Sequence, residues 1–211
     1  MPNKQRQGSR FNILIILGLL LIAAALCLTV YNIVTAQKAG ETAERAALQL
    51  MEQIGPQDAE GAIPGAAEYG AEYAADPNEE MPTVLLDDRY YIGVLAIPAL
   101  DLELPVQSTW NYPNLRVSPC RYAGSAYTKD LVIAAHNYPR HFGNLKTLPE
   151  GTEATFTDMN GNVFRYRLLG TEILDPYAVD YVLTEDFDMT LFTCTIGGAT
   201  RVTLRFRLSD G

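Results

Sequence analysis

The chain has 211 residues, of which 48% are hydrophobic, and a formal net charge of −9. This length accommodates one domain of good size together with appendages. Because the sequence contains no long basic patch and no ladder of alternating aromatic and basic residues, it argues against a nucleic-acid partner.

An apolar segment follows a short basic tail at the start of the chain. Residues 1–12 carry Lys4, Arg6 and Arg10 and no acid. Residues 13–35 are almost entirely apolar and reach the roughly 20 residues that a helix needs to cross a bilayer. The positive-inside rule then predicts a cytoplasmic N-terminus, a single-pass anchor in the cell membrane and an extracellular remainder. A cleaved signal peptide is the alternative, although this segment exceeds the usual apolar region of about 7–15 residues.

Residues 36–86 predict a helical segment followed by a flexible acidic linker. They contain ten acidic residues against two basic ones. Apolar residues recur at helical spacing in the first part, namely Ala43, Ala47, Leu50 and Ile54. Gly55 and Pro56 end this pattern, and from there to Pro82 the sequence has little to bury. That stretch is therefore expected to be a linker.

Residues 87–211 predict a compact, mainly β domain. Strand-like segments occur at 91–98, 104–106, 115–118, 131–135, 153–157 and 162–173, and two more belong to a hairpin that starts at Thr190. Eight or so strands with little helix in this length indicate a closed barrel or a sandwich.

The hairpin in residues 190–208 carries the first chemical signal. If Gly197 and Gly198 form a two-residue turn, Ile196 pairs with Ala199 and Cys194 lies opposite Arg201. Alternation puts this thiol and guanidinium on a polar face, with an apolar face behind it. A fixed positive charge favours thiolate over thiol, and guanidinium donors can hold a developing oxyanion. The alternative is an inert buried thiol beside a surface arginine.

The remaining cysteines and the histidines complete the set of candidates. Three cysteines do not make a disulfide framework; Cys27 falls in the apolar segment, and Cys120 and Cys194 are the one remaining pair. Of two histidines, His136 directly follows a buried strand that can aim it at a site, whereas His141 lies in the next loop. Position thus favours His136 as the base that a cysteine nucleophile needs. No group of ligand residues has zinc spacing, so no metal site is predicted.

Several separate segments resemble the sortases, the cysteine transpeptidases of Gram-positive cell surfaces. Residues 92–106 (IGVLAIPALDLELPV) resemble the family's opening strands. Residues 131–151 (LVIAAHNYPRHFGNLKTLPEG) resemble the block around its histidine. TLFTC, at 190–194, matches the T-L-x-T-C signature, and Arg201 follows on the next strand. The resemblance covers residues 90–208 in the family's order, behind the expected anchor.

The resemblance implies a closed eight-stranded β-barrel with short helices and a substrate groove. His136, Cys194 and Arg201 fall on the family's catalytic positions, and Thr193 falls on one that helps to bind substrate or stabilise the oxyanion. Members cut a C-terminal sorting motif related to Leu-Pro-x-Thr-Gly, hold the surface protein as a thioester and pass it to an amine of a peptidoglycan precursor or a pilin lysine. No cofactor is implied, although part of the family binds calcium.

Two departures from the family pattern leave the subclass open. Ala135 stands before the histidine where Gly is usual, and residues 176–189 have no room for a large inserted helix. Among other cysteine enzymes, wall L,D-transpeptidases carry a Gly-Cys-x-Arg motif and papain-like peptidases place Cys before His, so both fit less well. A non-catalytic, membrane-tethered β-module for adhesion or surface assembly is the alternative from another class. It predicts a thiol at Cys194 whose reactivity does not depend on His136.

Overall fold

The structure, a computed structural model, describes residues 5–54, 68–69, 79–184 and 186–209. It divides into two units, Met1–Lys38 and Ala39–Gly211. The helices are α1 (Gln5–Ile54), α2 (Tyr112–Leu115) and α3 (Val179–Val182), with single 3-10 turns at Pro98–Leu100 and Leu145–Thr147. The strands are β1 (Glu68–Tyr69), β2 (Val84–Leu86), β3 (Arg89–Ile97), β4 (Leu102–Gln107), β5 (Cys120–Ala123), β6 (Leu131–Ala134), β7 (Glu153–Asp158), β8 (Val163–Leu174), β9 (Met189–Cys194) and β10 (Arg201–Leu208).

The described part of the first unit is residues 5–38 of α1, which include its apolar portion. Its large apolar side chains between Ile13 and Val34 are exposed, many of them by more than half of their surface. Over the described residues, α1 is the single helix that is long and apolar enough to cross a membrane, with a mean hydropathy of 3.1 in its most apolar window. Length and composition therefore allow it to be a membrane span.

Eight strands of the second unit close into a barrel, as the sequence predicts. Around the barrel the order is β3, β4, β5, β6, β9, β10, β8 and β7, and β7 closes the ring by pairing with β3. The β4–β5 and β6–β9 pairs are parallel and the other pairs in the ring are antiparallel. Side chains fill the interior of a small barrel. The core therefore lies inside this barrel, around Leu131, Ile133, Phe156, Leu191 and Phe206.

One predicted strand is wrong. Residues 115–118 do not form a strand; the short helix α2 ends at Leu115, residues 116–118 turn, and β5 begins at Cys120. The side chain of Asn111 accepts a hydrogen bond of 2.7 Å from the backbone nitrogen of Asn114, which is an N-terminal cap. Pro113 lies in the first turn, where its missing N–H costs nothing.

Most of the predicted linker lies outside the described residues. Within it, Glu68–Tyr69 form β1 and pair in parallel with Val163 and Phe164 of β8. This end of β8 extends beyond its pairing with β10, which stops at Tyr166. Val84–Leu86, at the end of the predicted linker, form β2 and pair with β3.

The second unit includes the end of α1, from Ala39 to Ile54, packed on the barrel. Ala43, Ala47 and Leu50 are fully or almost fully buried, at the helical spacing seen in the sequence. Ala43 joins the main core, and Ala47 and Leu50 pack with Tyr91 of β3. This part of the helix is therefore a component of the folded domain.

Candidate active site

The register of the β9–β10 hairpin places the cysteine beside an arginine. Cys194 lies directly opposite Arg201 at the end of the ladder, as the sequence predicts. The predicted pairing of Ile196 with Ala199 is wrong, because the ladder stops at Cys194. Beyond it the turn closes through Thr195, whose hydroxyl accepts a hydrogen bond from the backbone nitrogen of Thr200 at 3.1 Å.

The parallel pairing of β6 with β9 brings the histidine to the same place. Ala134 is aligned with Phe192, and the nitrogen of Ala135 donates to the carbonyl of Phe192 at 3.2 Å. Continuing this register by two residues puts His136 next to Cys194. Neighbouring strands lie about 4.8 Å apart, so the backbones of His136 and Cys194 are adjacent at this edge of the barrel.

All four predicted site residues line one cavity of about 260 Å³, which we call the groove. They are His136, Thr193, Cys194 and Arg201. The groove is also lined by residues before and within β5, by the end of β6, by residues 175–182 and by Phe192. The geometry brings a thiol, an imidazole and a guanidinium to one opening; the catalytic roles of these groups stay predictions.

Thr193 and Arg201 already make hydrogen bonds within the protein. The Thr193 hydroxyl is buried and donates to the carbonyl of Ala135 at 2.8 Å, which ties β9 to the residue before His136. Arg201 uses one nitrogen, Nη1, to donate to the carbonyls of Gly198 and Thr200, at 3.1 and 3.2 Å. The bonds described for Arg201 leave its other donors free to face the groove.

The surroundings of His136 disfavour its charged form. Burial lowers the pKa of His136, and the nearby Arg116 guanidinium lowers it further. The resting site therefore favours the neutral imidazole. Arg116 is a functional candidate that the sequence does not reveal, since its position depends on α2, where the sequence pattern indicates a strand.

One wall of the groove is aromatic. Trp110 and Tyr122 meet edge to face with ring centroids 5.6 Å apart, and Tyr122 meets Phe192 in the same way at 5.2 Å. Tyr112 packs on Trp110 at 5.4 Å. Such contacts hold the rings in fixed positions. This wall offers an apolar surface beside the thiol.

The opposite wall is held by a buried arginine on β10. Val179 and Val182 of α3 line the groove. Arg205 donates to the backbone carbonyls of Tyr181 and Val182, and it forms an ion pair with Glu172 at 3.0 Å. The alternation predicts a polar face here, yet Arg205 is only 3% exposed, because α3 covers that face.

We expect replacement of Arg205 with Met to loosen this wall. The carbonyls of Tyr181 and Val182 would lose a buried donor, so the free energy of unfolding should fall by roughly 2–4 kcal/mol. The KM for a substrate bound in the groove should rise. Urea unfolding and steady-state kinetics measure the two effects. Arg207→Met is the matched control: its side chain is 52% exposed, so we expect a loss below about 1 kcal/mol. Equal losses of stability in the two variants would contradict the proposal that Arg205 holds this wall in place.

His141 does not line the groove. Its side chain is fully buried, and neither ring nitrogen has a hydrogen-bond partner in the described part of the chain. Burial lowers the pKa of His141 to about 4; the backbone of Ala39 opposes this shift, and His136 and Arg140 add to it. His141 is therefore neutral in the folded protein near pH 7.

The lowered pKa of His141 predicts a pH-dependent stability. Below the ordinary pKa of about 6.5, the unfolded chain binds a proton that the folded chain does not bind until pH falls to about 4. Stability should thus fall as pH drops through this window. Between pH 7 and pH 4.5 we expect His141→Phe to lose roughly 2 kcal/mol less than the wild type. Urea unfolding at both pH values tests this, and parallel losses in the two proteins would contradict it.

Cys120 is a packed core thiol rather than a second nucleophile. It is fully buried beside Leu115 and Ala134, and its sulfur contacts the carbonyl of Ser118 at 3.5 Å. Burial raises the pKa of Cys120 to about 12. Both Cys120 and Cys194 are free thiols. Within the ranges described, no three His, Cys, Asp or Glu side chains are grouped as metal ligands.

Comparisons of sequence family and of structure both match this chain to sortases. The sortase domain family model matches residues 95–206, which is more than half of the chain. Sortase A from Corynebacterium diphtheriae is similar in structure, with a TM-score of 0.51, 22% identity, and 58% of this chain and 62% of that chain covered. The chain thus spans less than two thirds of that relative. No curated protein matches the sequence.

Two further solved structures have the same TM-score of 0.51. Sortase C from Clostridium perfringens, solved with the C-terminal cell wall sorting motif, is 20% identical, with 57% of this chain and 71% of that chain covered. Sortase C from Streptococcus pneumoniae is 21% identical, with 60% and 72% covered. At these identities the likeness establishes a shared fold.

Proposed function

The chain belongs to the sortase family, and on that premise we propose that it is a cysteine transpeptidase for surface proteins. One observation carries the proposal: Cys194 and Arg201 face each other across the β9–β10 ladder and share the groove with His136. A thiol, a guanidinium and a histidine at one opening are the groups that nucleophilic catalysis needs, and a non-catalytic β-module does not need them together.

The first half-reaction makes a thioester on Cys194. His136 takes the proton of the Cys194 thiol, and the resulting thiolate attacks the carbonyl carbon of the threonine in the sorting motif while Arg201 donates hydrogen bonds to the oxyanion that forms. The bond from this carbon to the following glycine nitrogen then breaks, and protonated His136 gives its proton to the departing amine. The enzyme keeps the surface protein as an acyl group, and the C-terminal fragment leaves.

The second half-reaction reverses these roles. An acceptor amine attacks the thioester carbon while neutral His136 takes a proton from it. The new amide bond forms, the carbon–sulfur bond breaks and the thiolate returns. Arg201 does not act as a base, since a guanidinium stays protonated in proteins. Its part is to stabilise the oxyanion in both steps.

The groove supports a peptide substrate with an apolar motif related to Leu-Pro-x-Thr-Gly. Its walls are the rings of Trp110, Tyr122 and Phe192 on one side and Val179 and Val182 on the other. The Clostridium perfringens sortase C structure contains a C-terminal cell wall sorting motif, which is the class of ligand we propose here. The acceptor would be an amine of a peptidoglycan precursor or of a pilin lysine; pilin substrate specificity is described for the Streptococcus pneumoniae enzyme.

The apolar part of α1 would hold the enzyme in the cell membrane of a Gram-positive bacterium. Basic residues Lys4, Arg6 and Arg10 precede it and acidic sequence follows, so the catalytic domain would face outward. In that orientation the groove would lie on the side where sorting motifs and cell-wall amines occur.

The proposal is tested with the full chain in detergent, a peptide containing Leu-Pro-Glu-Thr-Gly and two acceptors, triglycine and a lysine peptide. Mass spectrometry should find a product in which the acceptor amine is joined to the threonine carbonyl, together with a released fragment that begins with glycine. Absence of cleavage, combined with alkylation of Cys194 that is unaffected by His136→Ala, would contradict the proposal. That result would favour a non-catalytic β-module.

A further inference from the structure

The ring of His136 is stacked on another side chain of its own loop. Tyr138, two residues after His136, lies with its ring centroid 4.8 Å from the imidazole and at an interplanar angle of 28°. The Tyr138 ring also contacts the ring of the buried His141, with centroids 5.4 Å apart. A stacked phenol covers a face of the imidazole and leaves the edges of that ring, where its nitrogens lie, open toward other groups.

The loop that carries these rings is closed by its own backbone. The carbonyl of His136 accepts from the nitrogen of Phe142 at 3.1 Å, and that of Tyr138 accepts from the nitrogens of His141 and Gly143 at 2.9 and 3.0 Å. A side chain at Gly143 would place its Cβ 2.7 Å from the carbonyl of Tyr138. The Phe142 side chain is fully buried in the core. The loop therefore has little freedom at either end.

The end of α1 presses on this loop from outside the groove. A Cβ at Gly40 would lie 2.8 Å from both Cβ and Cδ of Arg140, so the helix approaches the loop as closely as a glycine allows. One turn further on, Glu44 forms an ion pair with Arg140. Ala39 and Ala43 are buried on the same part of the helix. The helix thus limits the outward movement of the loop.

We propose that Tyr138 is a positioning residue for His136, and that α1 holds the loop in place through its contact at Gly40. The inference rests on the proposed function. His136 must give a proton to one amine and take a proton from another, so its ring has to keep one orientation through both steps. The face of an aromatic ring also attracts a cation, which favours the imidazolium that the first half-reaction needs.

The first test compares Tyr138→Leu with Tyr138→Phe in the full chain, and Tyr90→Leu is the control because Tyr90 is exposed on β3, away from the groove. Loss of the ring should lower kcat at least about 10-fold while KM changes less than about 2-fold. Tyr138→Phe and Tyr90→Leu should stay within about 2-fold of wild type. The phenylalanine variant keeps the stacked ring and loses only the hydroxyl. Wild-type activity in this variant would therefore show that stacking matters and that a hydrogen bond from the hydroxyl does not.

A second readout does not depend on turnover. The chain has only two histidines, so the ring signals of His136 can be assigned by NMR with histidine labelled in carbon-13, using His141→Phe to identify the other ring. Tyr138→Leu should shift the ring-proton signals of His136 because the neighbouring ring current is lost. Tyr138→Phe should leave these signals close to their wild-type positions.

A third variant pair tests the contact with α1. Gly40→Ala adds a methyl group where Arg140 already stands, whereas Gly18→Ala adds one on the same helix where nothing lies within 4 Å. Gly40→Ala should lower kcat and shift the His136 ring signals, and Gly18→Ala should do neither. The shared gain in helix propensity makes the pair a matched comparison.

The inference is overturned if Tyr138→Leu leaves both kcat and the His136 signals unchanged in an enzyme that is active as wild type. It is also overturned if Tyr138→Phe loses activity as severely as Tyr138→Leu, or if Gly40→Ala matches Gly18→Ala in both readouts. If the wild type performs no transpeptidation, the proposed function fails, and the NMR comparison still decides whether Tyr138 and α1 position His136.

Discussion

Replacement of Cys194 with Ala should abolish transpeptidation while leaving the fold intact. The substitution removes only a sulfur from a partly exposed position at the end of β9. No other nucleophile is proposed, so the rate of product formation should fall by roughly 10⁴-fold or more. The free energy of unfolding should change by less than about 1 kcal/mol. A peptide-ligation assay and urea unfolding measure the two quantities.

The other two cysteines provide matched controls for this variant. Cys27 is exposed on the apolar part of α1, and Cys120 is buried with its thiol held protonated. Cys27→Ala should retain full activity. Cys120→Ala should retain activity and lose roughly 1–2 kcal/mol of stability, because it leaves a small cavity. Retention of ligation in Cys194→Ala, or its loss in both controls, would contradict the assignment of the nucleophile.

Replacement of Arg201 with Lys should produce the second largest loss. Lysine keeps the positive charge but lacks the planar set of donors, and Arg201 already commits one nitrogen to the carbonyls of Gly198 and Thr200. An ammonium that takes over those carbonyls has little left for the oxyanion. We therefore expect kcat to fall by roughly 10²–10³-fold, as for the loss of an oxyanion donor.

Arg207→Lys on the same strand is the matched control for this change, because Arg207 is half-exposed and does not line the groove. Its side chain donates to the carbonyl of Asp186 at 2.7 Å and pairs with Asp188 at 3.5 Å. It should stay close to wild type in kcat. Near-normal turnover in Arg201→Lys would mean that only the charge at this position matters, and the proposed oxyanion role would be wrong.

The register of the catalytic hairpin could be predicted from the sequence because several local signals agree. The alternation of apolar and polar residues fixes which side chains share a face, and Gly197-Gly198 marks the turn. A one-residue slip would have exposed either Leu191 of β9 or Leu204 of β10, both of which are fully buried. The Cys194–Arg201 pair therefore follows from the core, even though the turn itself closes differently.

The parts that escaped prediction depend on contacts between segments far apart in the chain. Arg116 lowers the pKa of His136 from the end of a short helix, capped by Asn111, that the sequence pattern of 115–118 does not reveal. Arg205 is buried because α3, more than 20 residues earlier, covers its face of the sheet. The stacking of Tyr138 on His136 depends on how one loop folds back on itself. The alternation of residues predicts which face of a strand a side chain lies on. It does not predict which segment packs over that face.

The most direct measurement is the capture of the covalent intermediate on the intact protein. When the full chain is mixed with a Leu-Pro-Glu-Thr-Gly peptide without an acceptor amine and quenched in acid, its mass should increase by that of the acyl fragment ending in threonine. Peptide mapping should place this adduct on Cys194, and addition of triglycine before the quench should remove it. An adduct on another residue, or ligated product that forms with no thioester on Cys194, would contradict the account.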